Sequence, residues 1–134
     1  MPLLIDGKKI STEIKDELKV TVEELKKQGV ETCLAVIQVG DDPASSIYVR
    51  NKKRACAYVG IESLSYELPE ETTEEELVKL VKELNANDKV HGILVQLPLP
   101  KHINADTIIR TISPDKDVDG FHPESVGRLC IGEP

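Results

Sequence analysis

Three short stretches of this chain carry side chains that could do chemistry. In Gly92-Ile93-Leu94-Val95-Gln96-Leu97-Pro98-Leu99-Pro100 an apolar run ends in an amide and two prolines. Ile93 to Val95 suit a strand covered on both faces, as in a parallel sheet between helix layers. Gln96 then stands where the strand leaves the sheet, the end at which open α/β sheets hold their ligands, and its amide offers both a donor and an acceptor. The same run also fits a buried strand with an ordinary polar end. Pro98 and Pro100 cannot donate to a ladder and hold Leu97 and Leu99 extended; the sequence leaves open whether either X-Pro bond is cis. Ser45, Tyr48 and Lys52 lie three and four positions apart, on one face of a helix that Ala55 and Val59 continue. Most helix lysines are solvated, but one partly desolvated beside Tyr48 has its charged form disfavoured, which moves it toward proton transfer near neutrality. Tyr48 fits a core or rim aromatic, or a ring stacked on a flat ligand. The third stretch is Asp115-Lys116-Asp117-Val118-Asp119-Gly120-Phe121-His122-Pro123. It reads as a solvated acidic turn, or as a device in which Gly120 sets Asp119 to accept paired hydrogen bonds from a ring amidine or amino group.

Metal chemistry is not expected. The acidic stretch lacks the glutamate that closes an EF-hand loop, and Pro123 intrudes. His91, His102 and His122 show no ligand spacing such as HExxH and are expected to be structural. Cys33, Cys56 and Cys130 are an odd set without a CxxC pair, expected as small buried side chains and not as a disulfide, a zinc framework or a nucleophile.

The elements that must position these residues can be read from periodicity and punctuation. At 134 residues, with 40% hydrophobic and 31% charged, the chain is one domain with a real core. Lys+Arg 17 against Asp+Glu 24 gives a net charge of −7, which repels phosphate backbones and anionic lipid, so neither nucleic acid nor membrane is expected as a partner. The N-terminal apolar run beginning at Met1 is too short and wrongly flanked for a signal peptide, and no stretch approaches a membrane span. A soluble, cytoplasmic protein is expected. Ile10, Ile14, Leu18, Val22 and Leu25 recur at helical spacing before Gly29. Thr32 to Val39 reads as a buried strand; Asp42 caps a helix with Pro43 in its first turn, running to Val59 and stopping at Gly60. Ile61 to Leu68 is a second strand, Thr73 and Glu76 form a capping box before the stripe Leu77, Leu80, Val81 and Leu84, and Val90 to Leu97 is a third strand. Asn104 caps a short helix through Ile109, and the remainder reads as turns. Strands alternating with helices predict an α/β three-layer αβα sandwich with a mostly parallel sheet.

Together, Tyr48-Val49-Arg50-Asn51-Lys52, Val95-Gln96-Leu97-Pro98-Leu99-Pro100 and Lys116-Asp117-Val118-Asp119-Gly120-Phe121 resemble, in order and across essentially the whole chain, the bifunctional methylenetetrahydrofolate dehydrogenase/cyclohydrolase family. The resemblance implies an amino-acid-dehydrogenase-like N-terminal domain that binds a small folate substrate. By it, Lys52 matches the catalytic lysine, Gln96 the glutamine that hydrogen-bonds and orients that lysine, and Tyr48 the tyrosine that stacks on the folate. Asp119 matches the aspartate that holds the pterin, Ser45 a serine close to the site, and Leu97 and Pro98 belong with the substrate-binding residues. The family's cofactor is NADP.

The dinucleotide-binding half of that family is not legible here. None of the eight glycines forms a GxG pair, so no Rossmann fingerprint exists in the chain. Residues 1–134 are therefore expected to be the folate-binding catalytic domain, without NADP binding in the family's manner. Arg128 to Pro134 reads as an interrupted connection toward a second domain, which favours the N-terminal part of a longer enzyme over a standalone form that has lost the redox step. Family dimers resemble assemblies joined through the missing half, so this domain alone is expected to be monomeric, consistent with an acidic surface that shows no obvious exposed apolar stripe. Two other classes remain open at this point: the substrate domain of an amino-acid or shikimate-type dehydrogenase, and a non-enzymatic α/β binding module.

Overall fold

A computed structural model of the chain describes residues 3–133. Met1, Pro2 and Pro134, the ends of two segments discussed above, lie outside the described residues. Strands β1 (Cys33–Val39), β2 (Glu62–Leu68) and β3 (Gly92–Val95) form one all-parallel sheet in the order β2-β1-β3. Helices α1 (Gly7–Lys27), α2 (Pro43–Val59), α3 (Glu74–Ala86), α4 (Ala105–Thr111) and α5 (Pro123–Ile131), with a 3-10 turn at Pro114–Lys116, complete the order of elements.

The alternation of β1 builds the layers. Ala35, Ile37 and Val39 join Ile93 and Val95 of β3 against Leu77, Val81 and Leu84 of α3 and Ile108 of α4. On the opposite face Val36 and Leu94 pack with Val49 of α2. The sheet is thus covered on both sides, which explains the unbroken apolar runs, and α1 lies against α2. Ile37, Leu77, Ile93 and Ile108 are essentially without solvent contact, and each such side chain stabilises the fold by about 1.5–3 kcal/mol.

Caps set the helix boundaries that the sequence predicted. Asp42 accepts from the Ser45 N–H at 2.9 Å at the start of α2, and Gly60 at its end has φ 96°. Only glycine enters that left-handed region without strain, so the helix stops there. At α3 the box is complete, with Thr73 and Glu76 each bonded to the other's backbone N–H.

Several expectations are corrected. β3 is four residues long and not the eight from Val90 to Leu97, although Gln96 still donates its N–H to the Ile37 carbonyl at 2.8 Å. α4 runs two residues past Ile109, to Thr111. The segment expected as turns and an interrupted connection contains α5, capped at its start by the His122 ring, which accepts the Glu124 N–H at 3.0 Å. Cys130, expected buried, is exposed on α5, whereas Cys33 and Cys56 are buried. An exposed apolar surface does exist: Ile10, Ile14 and Leu18 of α1, and Val126, Leu129 and Ile131 of α5, all reach solvent. Of the α1 stripe only Val22 is buried.

Candidate active site

The chain passes from β1 to β2 on one side of the sheet and then crosses to β3 on the other. The loops leaving β1 and β3 therefore diverge, and the crevice between them lies at the carboxyl ends of the strands, where such sheets hold ligands. The loop from β1 feeds α2, whose capped first turn brings Ser45 and Tyr48 to this end, with Lys52 one turn beyond Tyr48. The loop from β3 begins with Gln96.

Lys52 and Gln96 meet across the crevice. The Lys52 Nζ donates to the Gln96 Oε1 at 2.8 Å, although 44 residues separate them in sequence. The amide is oriented at its other end, since the Gln96 Nε2 donates to the Leu97 carbonyl at 3.1 Å. With its nitrogen held by a carbonyl, only its oxygen can face the lysine. Leu97-Pro98 is cis. Ser45 is buried; its hydroxyl and its N–H both bond to one oxygen of Asp42 at 2.9 Å, and the hydroxyl lies 3.5 Å from the Leu97 carbonyl. Those two bonds from Ser45 hold the Asp42 carboxyl below the usual carboxylate range. Ser45 and Gln96 thus converge on the Leu97 backbone, one from α2 and the other from the loop after β3.

Tyr48 presents an exposed ring, 58% accessible, on the face of α2 that carries Lys52. A large aromatic left uncovered beside an ordered lysine-amide pair is available to stack on a flat ligand. Asp119 also reaches solvent, yet removal of water by its surroundings pushes its carboxyl up; Lys52 opposes that shift and Asp117 adds to it. Asp117 pairs parallel to Ile93 of β3, so Asp119, two residues on, lies toward the carboxyl end of that strand and within electrostatic reach of Lys52, at the end of the sheet where the other predicted site residues lie.

The loop bearing Asp119 is fastened at several points. Asp117 forms a parallel bridge with Ile93 of β3, and its carboxylate accepts the N–H groups of Gly120 and His122 at 3.1 and 2.8 Å. Just upstream, the Lys116 Nζ donates to the carbonyls of Leu84, Asn85 and Asn87 at 3.1, 2.9 and 2.9 Å, and so caps the C-terminal end of α3. Val118 rests on Gly92, where a Cβ would lie 2.6 Å from the valine Cγ1.

The sequence pattern of the family described as "Tetrahydrofolate dehydrogenase/cyclohydrolase, catalytic domain" matches residues 5–119. The chain belongs to this family. The tetrahydrofolate dehydrogenase/cyclohydrolase domain is 69% identical over its full 134 residues to the bifunctional protein FolD of Agathobacter rectalis, of which it covers 48%. Among solved structures, the bifunctional FolD methylenetetrahydrofolate dehydrogenase/cyclohydrolase of Campylobacter jejuni matches 96% of this chain and 45% of its own with 55% identity and a TM-score of 0.94. The Trypanosoma brucei N5,N10-methylenetetrahydrofolate dehydrogenase-cyclohydrolase, solved with NADP cofactor and inhibitor, matches 98% of this chain and 46% of its own at 38% identity and a TM-score of 0.92. The domain spans about half the length of the curated relatives it matches. Membership decides against the amino-acid or shikimate-type substrate domain.

In this tetrahydrofolate dehydrogenase/cyclohydrolase domain the histidines are structural, as expected. His91 accepts the Cys33 N–H at 3.2 Å, the His102 ring pairs with the Thr72 carbonyl at 2.8 Å, and His122 caps α5. No cluster of metal-ligating side chains occurs among the described residues. Burial pushes up the thiols of Cys33 and Cys56, which is the wrong direction for a nucleophile. No described helix is long and apolar enough to cross a membrane. Sequence reasoning missed Lys116 and Asn85. Asn85 donates to the Thr111 carbonyl at 2.7 Å and accepts the Ser113 N–H at 2.9 Å, tying the end of α4 to α3. Nothing in their local sequence distinguishes them, because their partners lie about 30 residues away.

Proposed function

We propose that this chain is the folate-binding catalytic part of a cytoplasmic enzyme of one-carbon metabolism. The enzyme interconverts 5,10-methylene-, 5,10-methenyl- and 10-formyl-tetrahydrofolate by NADP-dependent dehydrogenase and cyclohydrolase steps, and its one-carbon units serve purine biosynthesis. The observation that carries this proposal is the 2.8 Å bond from Lys52 to an amide whose other end is itself held.

The cyclohydrolase step needs a water activated beside the methenyl carbon and a proton for the departing ring nitrogen. As the water oxygen bonds to that carbon, Lys52 in its neutral form takes one of the water's protons; the carbon–nitrogen bond then breaks with its electron pair on nitrogen, Lys52 can return that proton there, and the remaining hydroxyl proton leaves to solvent as the formyl C=O forms. Gln96 holds the amine in line without adding charge. Tyr48 stacks on the folate, Asp119 accepts hydrogen bonds from the pterin, and Ser45, Leu97 and Pro98 shape the wall between them.

The described strand-to-helix turns do not suit a dinucleotide pyrophosphate. Gly40-Asp41-Asp42-Pro43 presents two carboxylates and a residue without an N–H, and α3 opens with Glu74, Glu75 and Glu76. Phosphates favour free N–H groups and positive potential at a helix start. The hydride acceptor, NADP, is on this reading held outside these residues, and the domain's share of the redox step is to position the folate.

Lys52→Met tests the assignment in the protein that carries this chain. It removes the ionisable amine and keeps the apolar stem, so hydrolysis of 5,10-methenyl-tetrahydrofolate should fall by about 10²–10⁴-fold while tetrahydrofolate still binds. Wild-type hydrolysis by the variant would make Lys52 a solvated surface residue and refute the proposal.

A further inference from the structure

We infer that Asp117 is a positioning residue for Asp119, holding the pterin-accepting carboxylate in place beyond the end of β3; this rests on the folate reading given above. The two aspartates are two residues apart and do opposite things. Asp117 commits one carboxylate oxygen to the Gly120 N–H at 3.1 Å and the other to the His122 N–H at 2.8 Å. Asp119 lies between the bonded residues and reaches solvent. An aspartate with an N–H on each oxygen is poorly placed to receive a ligand, whereas a clamp around the next carboxylate fixes where that carboxylate points.

The clamp is anchored, so its geometry can be transmitted. The Asp117 backbone bridges to Ile93, which is buried in the core, and Lys116 ties the preceding residue to three carbonyls at the end of α3. Gly120 at φ 68° makes the reversal that turns the chain back toward Asp117. Downstream, His122 caps α5, so the second bond of the clamp lands at a fixed helix start. With the carboxylate of Asp117 removed, the His122 N–H loses its acceptor and the Gly120 N–H keeps only the longer bond to the Asp117 carbonyl at 3.4 Å, so the loop keeps its anchor at β3 and a loosened turn. The Asp117 charge also pushes the Asp119 carboxyl up, which places the two groups within electrostatic reach.

The test is a cycle of variants in the protein that carries this chain, read as the Kd for tetrahydrofolate and as KM and kcat for 5,10-methenyl-tetrahydrofolate hydrolysis. Asp119→Ala should raise Kd and KM by about tenfold or more, and Asp117→Ala should reproduce most of that rise with kcat within about threefold of wild type. Asp117→Asn, whose amide oxygen keeps one of the two acceptor bonds, should fall between and carries the test if the alanine variant does not fold. Asp117→Ala combined with Asp119→Ala should bind no more weakly than Asp119→Ala alone, because a clamp with nothing to aim has no further effect. A purely structural Asp117 would lower the melting temperature and the active fraction without moving KM, and its penalty would multiply with that of Asp119→Ala; either result overturns the inference. If Asp119→Ala itself leaves Kd and KM unchanged, the pterin role of Asp119 fails and this inference fails with it. If Asp119→Ala weakens binding while both Asp117 variants bind as wild type, the inference alone fails.

Discussion

Both ends of the sheet carry ionisable groups and use them differently. At the amino ends of the strands, Lys26, Glu31, Glu62, Asp88, Lys89 and His91 line a cavity of about 590 Å³. Its histidine serves the strand beside it, accepting the Cys33 N–H while its own N–H donates to the Cys33 carbonyl at 2.9 Å. At the carboxyl ends, Lys52 is held by a neutral amide, that amide by a backbone carbonyl, and Asp119 by a loop fastened to β3 and α3. What distinguishes them is that the fixed histidine of the amino end is spent on strand backbone, whereas the carboxyl end fixes Lys52 beside a crevice, and a reaction needs groups already in place when the substrate arrives.

The largest effect that would sharpen this contrast is on binding. Asp119→Ala should weaken folate binding by about 2 to 4 kcal/mol if the carboxylate makes paired charge-assisted bonds, as measured by titration with tetrahydrofolate. A loss below a few tenths of a kcal/mol would place Asp119 with the solvated carboxylates of the opposite end. Gln96→Leu comes next. It removes the partner that aims Lys52, so kcat for methenyl-tetrahydrofolate hydrolysis should drop by about 10- to 100-fold with a much smaller change in Kd. An equal loss in both would mean that Gln96 binds substrate more than it orients the lysine.

The opposite end supplies the control. His91→Ala leaves the Cys33 N–H without its side-chain acceptor and should cost about 1 kcal/mol of stability in denaturant melts, with hydrolysis and folate affinity unchanged. Altered folate affinity would break the division between the two ends. The smallest effect concerns pH. Because desolvation raises the Asp119 carboxyl, folding favours its protonated form; that contribution is full below the ordinary carboxylate range and is lost as pH rises through the raised value. Asp119→Asn removes the charge that has to be desolvated, so the variant should melt slightly above wild type at neutral pH, and the difference should close toward about pH 3. A gap that is the same at both pH values would show that the change acts through packing.

Most of this fold was legible because its boundaries are written locally. Asp42 and Gly60 around α2, and Thr73 with Glu76 at α3, mark helix ends by groups three or four residues from their targets, and each behaves as read. The exception is α5. Its start is capped by a histidine, an unusual residue for that position, and Gly127 lies inside it, so propensity argued for turns. The expected length of β3 failed for a different reason. Val90 and Gln96 look like strand and do bond to neighbouring backbone, but only Gly92 to Val95 have ladder partners on β1. The site was readable as residue types at helical and strand spacing. Its assembly was not legible from residue types alone: the Lys52 to Gln96 bond, which the family resemblance implied, and the Lys116 cap join segments about 30 to 44 residues apart, and the Asp117 clamp, though local, lies in a run that reads as a solvated acidic turn.

One hydrogen atom sets how close the Asp119 loop can lie to the sheet. At Gly92 a methyl group would sit 2.6 Å from Val118 and 3.1 Å from Leu34, wedged between the loop and β1. The backbone there is ordinary strand, so glycine is needed for clearance and not for its torsional freedom. Position 92 thus acts as a spacer of minimum thickness, and even alanine would shim the loop outward from β3. The distance between the site loop and the sheet is set by a side chain that is not there.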